Sequence, residues 1–236
     1  MNLHSGDANC FQCVEYGVGL AHFVDVGMAG ASEKTLALWI AADGFEFAQE
    51  LVILLGKNAF KNCTALAEVT FHEGNLMKIS DGAFYNTALT ELVLPDCLTI
   101  LDTFSFKNCA KLTSIELGSG LTELREAVFY ATAIPSIEVP EGITKIGPYV
   151  FKNCVKLQTI DLPESLTSVG EASFYACTGL KEIILPDAVK TIGNYAFDGC
   201  SSLTSIVIPD GVTTIGDRAF QGCSRLTGIV IPDSVT

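Results

Sequence analysis

Apolar and polar positions along this chain follow a repeat of about 23 residues. In one clear copy the apolar positions are Leu203, Ile206, Ile208, Val212, Ile215, Ala219, Phe220 and Cys223. One phenylalanine marks each copy, and the separations between them are 24, 22, 23, 22, 23, 23 and 23 residues, for Phe60, Phe84, Phe106, Phe129, Phe151, Phe174, Phe197 and Phe220. A period of this size is typical of a stacked solenoid.

Each copy predicts a strand, a turn and a short helical segment. Apolar residues alternate with polar or exposed ones in the run Ser205 to Pro209, so Ile206 and Ile208 are expected to point inward from a strand. Proline followed by Asp or Glu then predicts a turn. Gly, Ser or Asp four positions before most phenylalanines is an N-cap type, and Asn or Gly two positions after most of them is a helix-ending type. We therefore expect a turn or two of α- or 3₁₀-helix around each phenylalanine.

The predicted fold class is α/β. One copy buries too little apolar surface to offset the entropy of ordering it, whereas stacked copies share a continuous core. We expect a solenoid with one parallel β-sheet and short helical or 3₁₀ turns on the opposite side. Residues 1–50 do not keep the period and are predicted to be a divergent N-terminal segment or cap, and residues 51–236 form the solenoid.

The last copy stops partway through a coil at Thr236. We expect either a fragment of a longer protein or a last coil covered by a partner or a second copy, which would permit end-to-end self-association. The fairly apolar stretch from Val14 to Ala31 contains acidic residues and lacks a basic leader, so neither a signal peptide nor membrane insertion is predicted.

The repeat resembles leucine-rich repeats. The run Leu203-x-x-Ile206-x-Ile208 resembles their LxxLxL core, and the unit IPDGVTTIG followed by AFQGC is similar to the bacterial type of Treponema and BspA-like surface proteins. The resemblance covers about Leu51 to Thr236. It implies an extracellular or cell-surface protein that binds host or matrix proteins, and it supplies no catalytic residues. The asparagine of the common type is replaced at Gly142, Ser165, Ala188, Gly211 and Ser234.

Composition narrows the classes of partner. With 27 acidic and 14 basic residues the formal charge is -13, which argues against nucleic acid and anionic membranes and favours basic proteins or cations. The chain has no glycine-rich nucleotide loop, and its three histidines are far apart. We therefore expect no enzyme activity and no cofactor.

The nine cysteines cannot all pair with one another. Six follow an anchor phenylalanine by three residues: Cys63, Cys109, Cys154, Cys177, Cys200 and Cys223. Neighbouring members would be close enough for a disulfide, but an inert buried ladder is favoured. Cys10 and Cys13, with His4 and His22 nearby, could form a zinc site, although a lone pair of cysteines favours structural or incidental thiols.

The candidate site is the outward side of the predicted strands, where the fold constrains residue type least. The mid-strand outward positions are Thr70, Val93, Glu116, Glu138, Asp161, Ile184, Val207 and Val230. The predicted protein-binding residues are Glu116, Glu138, Asp161, Ile184, Val207 and Val230, an acidic column beside an apolar stripe. Two alternatives are a sheet face of β-branched residues and screened acids without function, and calcium held by the three acids.

We therefore predict a non-catalytic protein-binding repeat domain, part of a cell-surface adhesin or of a host- or matrix-binding protein. An intracellular interaction scaffold is the alternative, and the binding region of a larger enzyme is a third class.

Overall fold

The computed structural model describes residues 36–37, 53–71 and 76–236. The chain winds into successive coils, and each complete coil contributes one strand to each of two parallel ladders. The first ladder contains β1 Leu36–Ala37, β3 Val69–Thr70, β5 Glu91–Val93, β7 Ser114–Glu116, β9 Ser136–Glu138, β11 Thr159–Asp161, β13 Glu182–Ile184 and β15 Ser205–Val207. The second contains β2 Ile53–Leu55, β4 Leu76–Ile79, β6 Ile100–Leu101, β8 Glu123–Leu124, β10 Lys145–Ile146, β12 Ser168–Val169, β14 Thr191–Ile192 and β16 Thr214–Ile215.

The predicted solenoid is confirmed, but the single sheet was an incomplete prediction. The second ladder runs without a break from β8 through β10, β12 and β14 to β16, and all of its pairs are parallel. Sequence patterning does not reveal it, because most of its strands are two residues long and too short to show alternation.

Strand β1 adds a strand at the N-terminal side of the first ladder. It pairs in parallel with β3, with Leu36 opposite Val69. Part of the segment that does not keep the period therefore continues the sheet.

The core is a continuous column of phenylalanine rings. Consecutive anchors from Phe60 to Phe220 stack with centroids 5.2 to 5.9 Å apart and ring planes within 16° of parallel. The rings from Phe84 to Phe197 are fully buried. The period of about 23 residues is therefore the length of one turn of the solenoid.

The described residues contain no helix, so the prediction of α- or 3₁₀-helical turns is wrong. A helix directs all its amides along its own axis. Here they alternate: Asn58 and Phe60 donate to the carbonyls of Asp81 and Ala83 in the next coil, at 2.9 and 2.7 Å, whereas Lys61 donates back to Asn58 at 3.1 Å. It also follows that no described helix is long and apolar enough to cross a membrane.

This alternation requires left-handed backbone at two positions of every coil. The residue two after each phenylalanine has positive φ, including Ala131 and Ala176, where neither Asn nor Gly stands. The residue two before each phenylalanine is also left-handed, even where it is as bulky as Tyr149 (φ 60°) or Tyr195 (φ 57°). The Asn and Gly signals therefore mark turns that bond between coils, and not the ends of helices.

The glycines four positions before the anchors are not N-caps. A Cβ added at Gly170 would lie 2.6 Å from backbone atoms of Gly147 and Ile146, and one at Gly193 would lie 2.7 Å from the backbone of Gly170. At these two glycines successive coils therefore approach too closely for a side chain, whereas the same position carries Ser80, Asp102 and Arg125 in earlier coils and is open at Gly56.

A serine partly replaces the missing asparagine of the common repeat. Ser165 Oγ accepts a hydrogen bond from the Gly142 amide (3.2 Å) and donates to the Ile143 carbonyl (2.9 Å). The hydroxyl thereby connects two coils at the turn that follows the first ladder.

The cysteine ladder is buried, as expected. All six anchor-linked cysteines are buried, and Cys109, Cys154, Cys177, Cys200 and Cys223 are thiols. Each of these five donates to the carbonyl of the phenylalanine in the preceding coil, at 3.0 to 3.2 Å. Cys10 and Cys13 lie outside the described residues.

Two equivalent serines should respond oppositely to replacement by alanine. Ser105 and Ser173 are both fully buried one position before an anchor, but Ser105 donates to the Asp102 carbonyl whereas Ser173 Oγ has no partner. Ser173→Ala should raise the free energy of unfolding by about 1 kcal/mol, and Ser105→Ala should lower it by about 1 kcal/mol. Urea unfolding measures both, and equal effects would contradict the assignment.

The buried thiols should make the fold sensitive to alkali. Burial raises the pKa of Cys154 from 9.0 to about 11, so the folded chain retains a proton that the unfolded chain releases. This contribution to stability is complete below pH 9 and is lost as the pH rises towards 11, at about 1.4 kcal/mol per pH unit. Urea unfolding at pH 8, 9 and 10 should therefore show that the difference between wild type and Cys154→Ala shrinks, whereas that for Leu157→Ala stays constant.

Candidate protein-binding face

The outer face of the first ladder carries the candidate site. In the strands from β5 to β15 the middle residue is buried and the first and third are exposed. The buried middle residues are Leu92, Ile115, Ile137, Ile160, Ile183 and Ile206. They anchor each strand on the core, so its two neighbours must face solvent.

The third positions form one column across the strands. Asp161 is in register with Glu138, and Ile184 is in register with Val207. Val93 is in register with Glu116. Strands β7 and β9, and likewise β11 and β13, lie side by side and connect these pairs. The structure thus places five of the six predicted site residues in one column.

The three acids of the column lie next to one another without cations. Glu116, Glu138 and Asp161 are all exposed. Adjacent parallel strands are about 4.8 Å apart, so these carboxylates repel one another. None of the ion pairs between described residues includes any of the three. The column therefore has unneutralised negative charge.

The calcium alternative does not fit this geometry. The described part of the chain contains no group of three or more His, Cys, Asp or Glu residues that could hold a metal ion. Three parallel strands present their carboxylates in a row, so the oxygens do not converge on one point as a calcium site requires.

An apolar stripe continues the column. Ile184 is 81% exposed and Val207 is 75% exposed, unusually high values for such residues. Val230 is equally exposed but lies in a stretch without strand pairing, so it is not part of the ordered ladder.

The acids of the turns have a different role. Asp96 Oδ1 accepts hydrogen bonds from the amide and the hydroxyl of Ser119, both at 2.9 Å, and these bonds lower the pKa of Asp96. Glu141 Oε1 accepts from the amide of Glu164 at 3.2 Å. These two carboxylates connect the turns of neighbouring coils, in agreement with the structural role expected from the sequence.

Beside the second ladder, unlike in the acidic column, four charged residues form an ion-pair network. Asp102 binds Lys78 at 3.0 Å and Arg125 at 3.1 Å, and Arg125 also binds Glu123 at 2.8 Å. Partial burial tends to raise the pKa of Asp102, but bonds from Lys78, the Thr103 amide and Arg125 outweigh it and lower the pKa. An adjoining open groove of about 460 Å³ is lined by residues of four coils. The ion pairs of Asp102 with Lys78 and Arg125 connect three neighbouring coils.

A known family of repeat proteins matches most of this chain. The family description "BspA type Leucine rich repeat region (6 copies)" matches residues 44–157 and 122–236. The chain belongs to the BspA-type leucine-rich-repeat family. No curated protein matched it.

Two of the matching solved structures, from Bacteroides ovatus and Eubacterium ventriosum, share the fold of this BspA-type chain. A leucine-rich repeat protein from Bacteroides ovatus is 22% identical with a TM-score of 0.54, over 79% of this chain and 66% of that one. One from Eubacterium ventriosum is 22% identical with a TM-score of 0.60, over 78% and 55%. A Treponema pallidum leucine-rich repeat protein is 26% identical with a TM-score of 0.49, over 78% and 71%. This chain thus spans about two thirds and about half of the first two.

Sequence reasoning missed part of the face of this BspA-type solenoid. Glu91 and Glu182 are exposed at the first strand positions, two residues before Val93 and Ile184. Val93, which the sequence placed among the outward positions but not among the predicted binding residues, is 61% exposed and flanks the acids on the other side. The two-residue alternation within each strand would have identified both glutamates as outward-facing. They enlarge the acidic area of the face.

Relieving the repulsion within the acidic column should stabilise the fold. Glu138 has an acid on each side, so Glu138→Gln should raise the free energy of unfolding by about 0.5 kcal/mol at low salt, with a smaller gain at 1 M salt. Glu182→Gln, which removes an exposed acid from the first position of β13, where the register partner is Ser205, is the control and should give a smaller gain. A loss of stability for Glu138→Gln would show that this carboxylate has a structural partner.

Proposed function

We propose that this repeat domain binds another protein through the outer face of its first ladder, by recognition and without catalysis. One observation carries the proposal: three acids without cations, Glu116, Glu138 and Asp161, continue directly into the exposed Ile184 and Val207. Like charges on neighbouring strands are destabilising, and an exposed apolar patch is typical of an interaction surface. A bound partner would neutralise the charges and bury the apolar side chains.

The arrangement specifies the chemistry of the partner. Lys or Arg side chains would lie against coils β7 to β11, where the acids are, and apolar side chains would lie against β13 and β15. Rim charges of this type increase the association rate and select the partner, and the apolar contact slows dissociation. A basic segment of a host or matrix protein fits this pattern, as does any basic protein with neighbouring apolar residues.

We further propose display at the cell surface as an adhesin, which the BspA-type repeat supports through the resemblance noted above. An intracellular scaffold would use the same face. The five thiols of the cysteine ladder from Cys109 to Cys223 are buried and thus protected in either compartment. Fractionation of the producing cells, with protease accessibility of the repeat, separates the two locations.

Peptide display against the full chain tests the binding face. Selected peptides should combine Lys or Arg with apolar residues, and their affinity should fall at least tenfold for Glu116→Ser/Glu138→Ser/Asp161→Ser. The charge-matched control, Glu164→Ser/Asp187→Ser/Asp210→Ser, removes three turn acids and should change affinity less than threefold. Ile184→Ser/Val207→Ser should accelerate dissociation.

Two outcomes would contradict the proposal. If the selected peptides contained no basic residues, the three acids would have no role in binding. Equal losses in the face variant and the turn variant would show a general charge effect, since the net charge of -13 attracts any cationic peptide.

A further inference from the structure

The position directly after each anchor phenylalanine alternates between lysine and tyrosine over six coils. The residues are Lys61, Tyr85, Lys107, Tyr130, Lys152 and Tyr175. The next two coils have Asp198 and Gln221 there. We call these six residues the lysine–tyrosine column; it lies on the phenylalanine side of the solenoid. Packing of one coil on the next does not require an alternation with a period of two coils.

The lysines are held by aromatic rings. Lys107 Nζ lies 4.5 Å from the ring centroid of Tyr130 in the next coil and 5.0 Å from that of Phe104 in its own coil. Two coils later Lys152 makes the same two contacts, at 4.5 and 5.2 Å, with Tyr175 and Tyr149. Cation–π contacts position the ammonium groups and leave their hydrogen-bond donors unused.

The tyrosine hydroxyls are also held in place. Asn108 Nδ2 donates to the hydroxyl of Tyr85 at 3.1 Å, and Asn153 Nδ2 donates to that of Tyr130 at 3.0 Å. Each hydroxyl oxygen accepts in these bonds, so its proton remains available to an outside acceptor. The column therefore presents a row of preorganised donors.

This side of the molecule is locally positive although the chain is acidic. The column lysines take part in no ion pair between described residues, and the exposed Lys111 and Lys156 follow four residues after Lys107 and Lys152. The neighbouring acids are few, and Asp198, at the equivalent position of the coil after Tyr175, marks the C-terminal end of the positive stretch. Asp81 pairs with Lys57, Glu171 accepts from the Tyr149 hydroxyl, and Glu126 lies close to Tyr149.

We propose that the lysine–tyrosine column binds a linear anionic polysaccharide along the axis of the solenoid. Lysines recur every second coil, and two inter-strand spacings amount to about 10 Å, so the fitting ligand has a carboxylate or sulfate at about that interval. The ammonium groups bind these anions, and the tyrosine hydroxyls donate to oxygens between them.

A nucleic acid fits the column less well. Along the axis of a duplex the phosphates of one strand recur about every 3.4 Å, a much shorter interval than that between the lysines. Single strands are held through bases stacked on open aromatic faces, whereas lysine ammonium groups cover the faces of Tyr85, Tyr130 and Tyr175. The geometry therefore favours a saccharide over an oligonucleotide.

Binding of four probes to the full chain tests the proposal: hyaluronan, which has one carboxylate per disaccharide, κ-carrageenan, which has one sulfate per disaccharide, neutral dextran and a single-stranded oligonucleotide. We expect binding of one or both anionic polysaccharides, which distinguishes carboxylate from sulfate, and none of neutral dextran. Lys107→Gln/Lys152→Gln should weaken binding of the anionic polysaccharide at least tenfold. It should also reduce the number of ions released on binding, measured from the salt dependence of the affinity, by about two. Lys107→Arg/Lys152→Arg should retain it.

Matched variants separate a specific site from general electrostatics. Lys145→Gln/Lys181→Gln removes the same charge from other surfaces and should leave the affinity within threefold of wild type. Tyr85→Phe/Tyr130→Phe keeps the rings and should weaken binding a few-fold through loss of the hydroxyls. Each of three results would overturn the proposal: no binding of either polyanion, equal losses in the two lysine variants, or an oligonucleotide bound as tightly as the polysaccharide.

Discussion

Backbone hydrogen bonding between coils is the constraint on which this solenoid depends. Around each phenylalanine alternate amides, such as those of Asn58 and Phe60, bond to the next coil, and the amides between them close turns within their own coil. No coil can satisfy its polar backbone without a neighbour, and an unpaired buried amide is costly. The stacked rings share this dependence, because each phenylalanine is buried by the phenylalanines above and below it.

That constraint fixes the spacing of everything on the surface. Neighbouring strands are about 4.8 Å apart, so a residue type that recurs at one position of the repeat forms a column along the solenoid. A substitution in one copy changes one position of that column. The same geometry that brings Glu138 opposite Asp161 also places Lys107 over Tyr130. Surface chemistry can thus vary around the solenoid while the core stays constant.

The two proposed recognition surfaces have opposite charge on different sides of the coil. The first ladder presents acids without cations, whereas the phenylalanine side presents lysines fixed by aromatic rings. On the second ladder Asp102 and Glu123 are paired with Lys78 and Arg125. The net charge of -13 describes none of these surfaces, because they differ in the sign of their charge and in whether the charges form ion pairs.

The sequence alone determined the period, the inward residues of the first ladder, the buried cysteines and the column from Glu116 to Val207, because strand alternation and repeat spacing encode them directly. Only the tertiary structure decided that the segments around the phenylalanines are not helical. Asn, Gly and Ser serve helix caps and left-handed turns equally well, so local sequence cannot choose between them. Contact with the next coil makes the choice, and it also puts Tyr149 into a left-handed conformation that its own residue type disfavours.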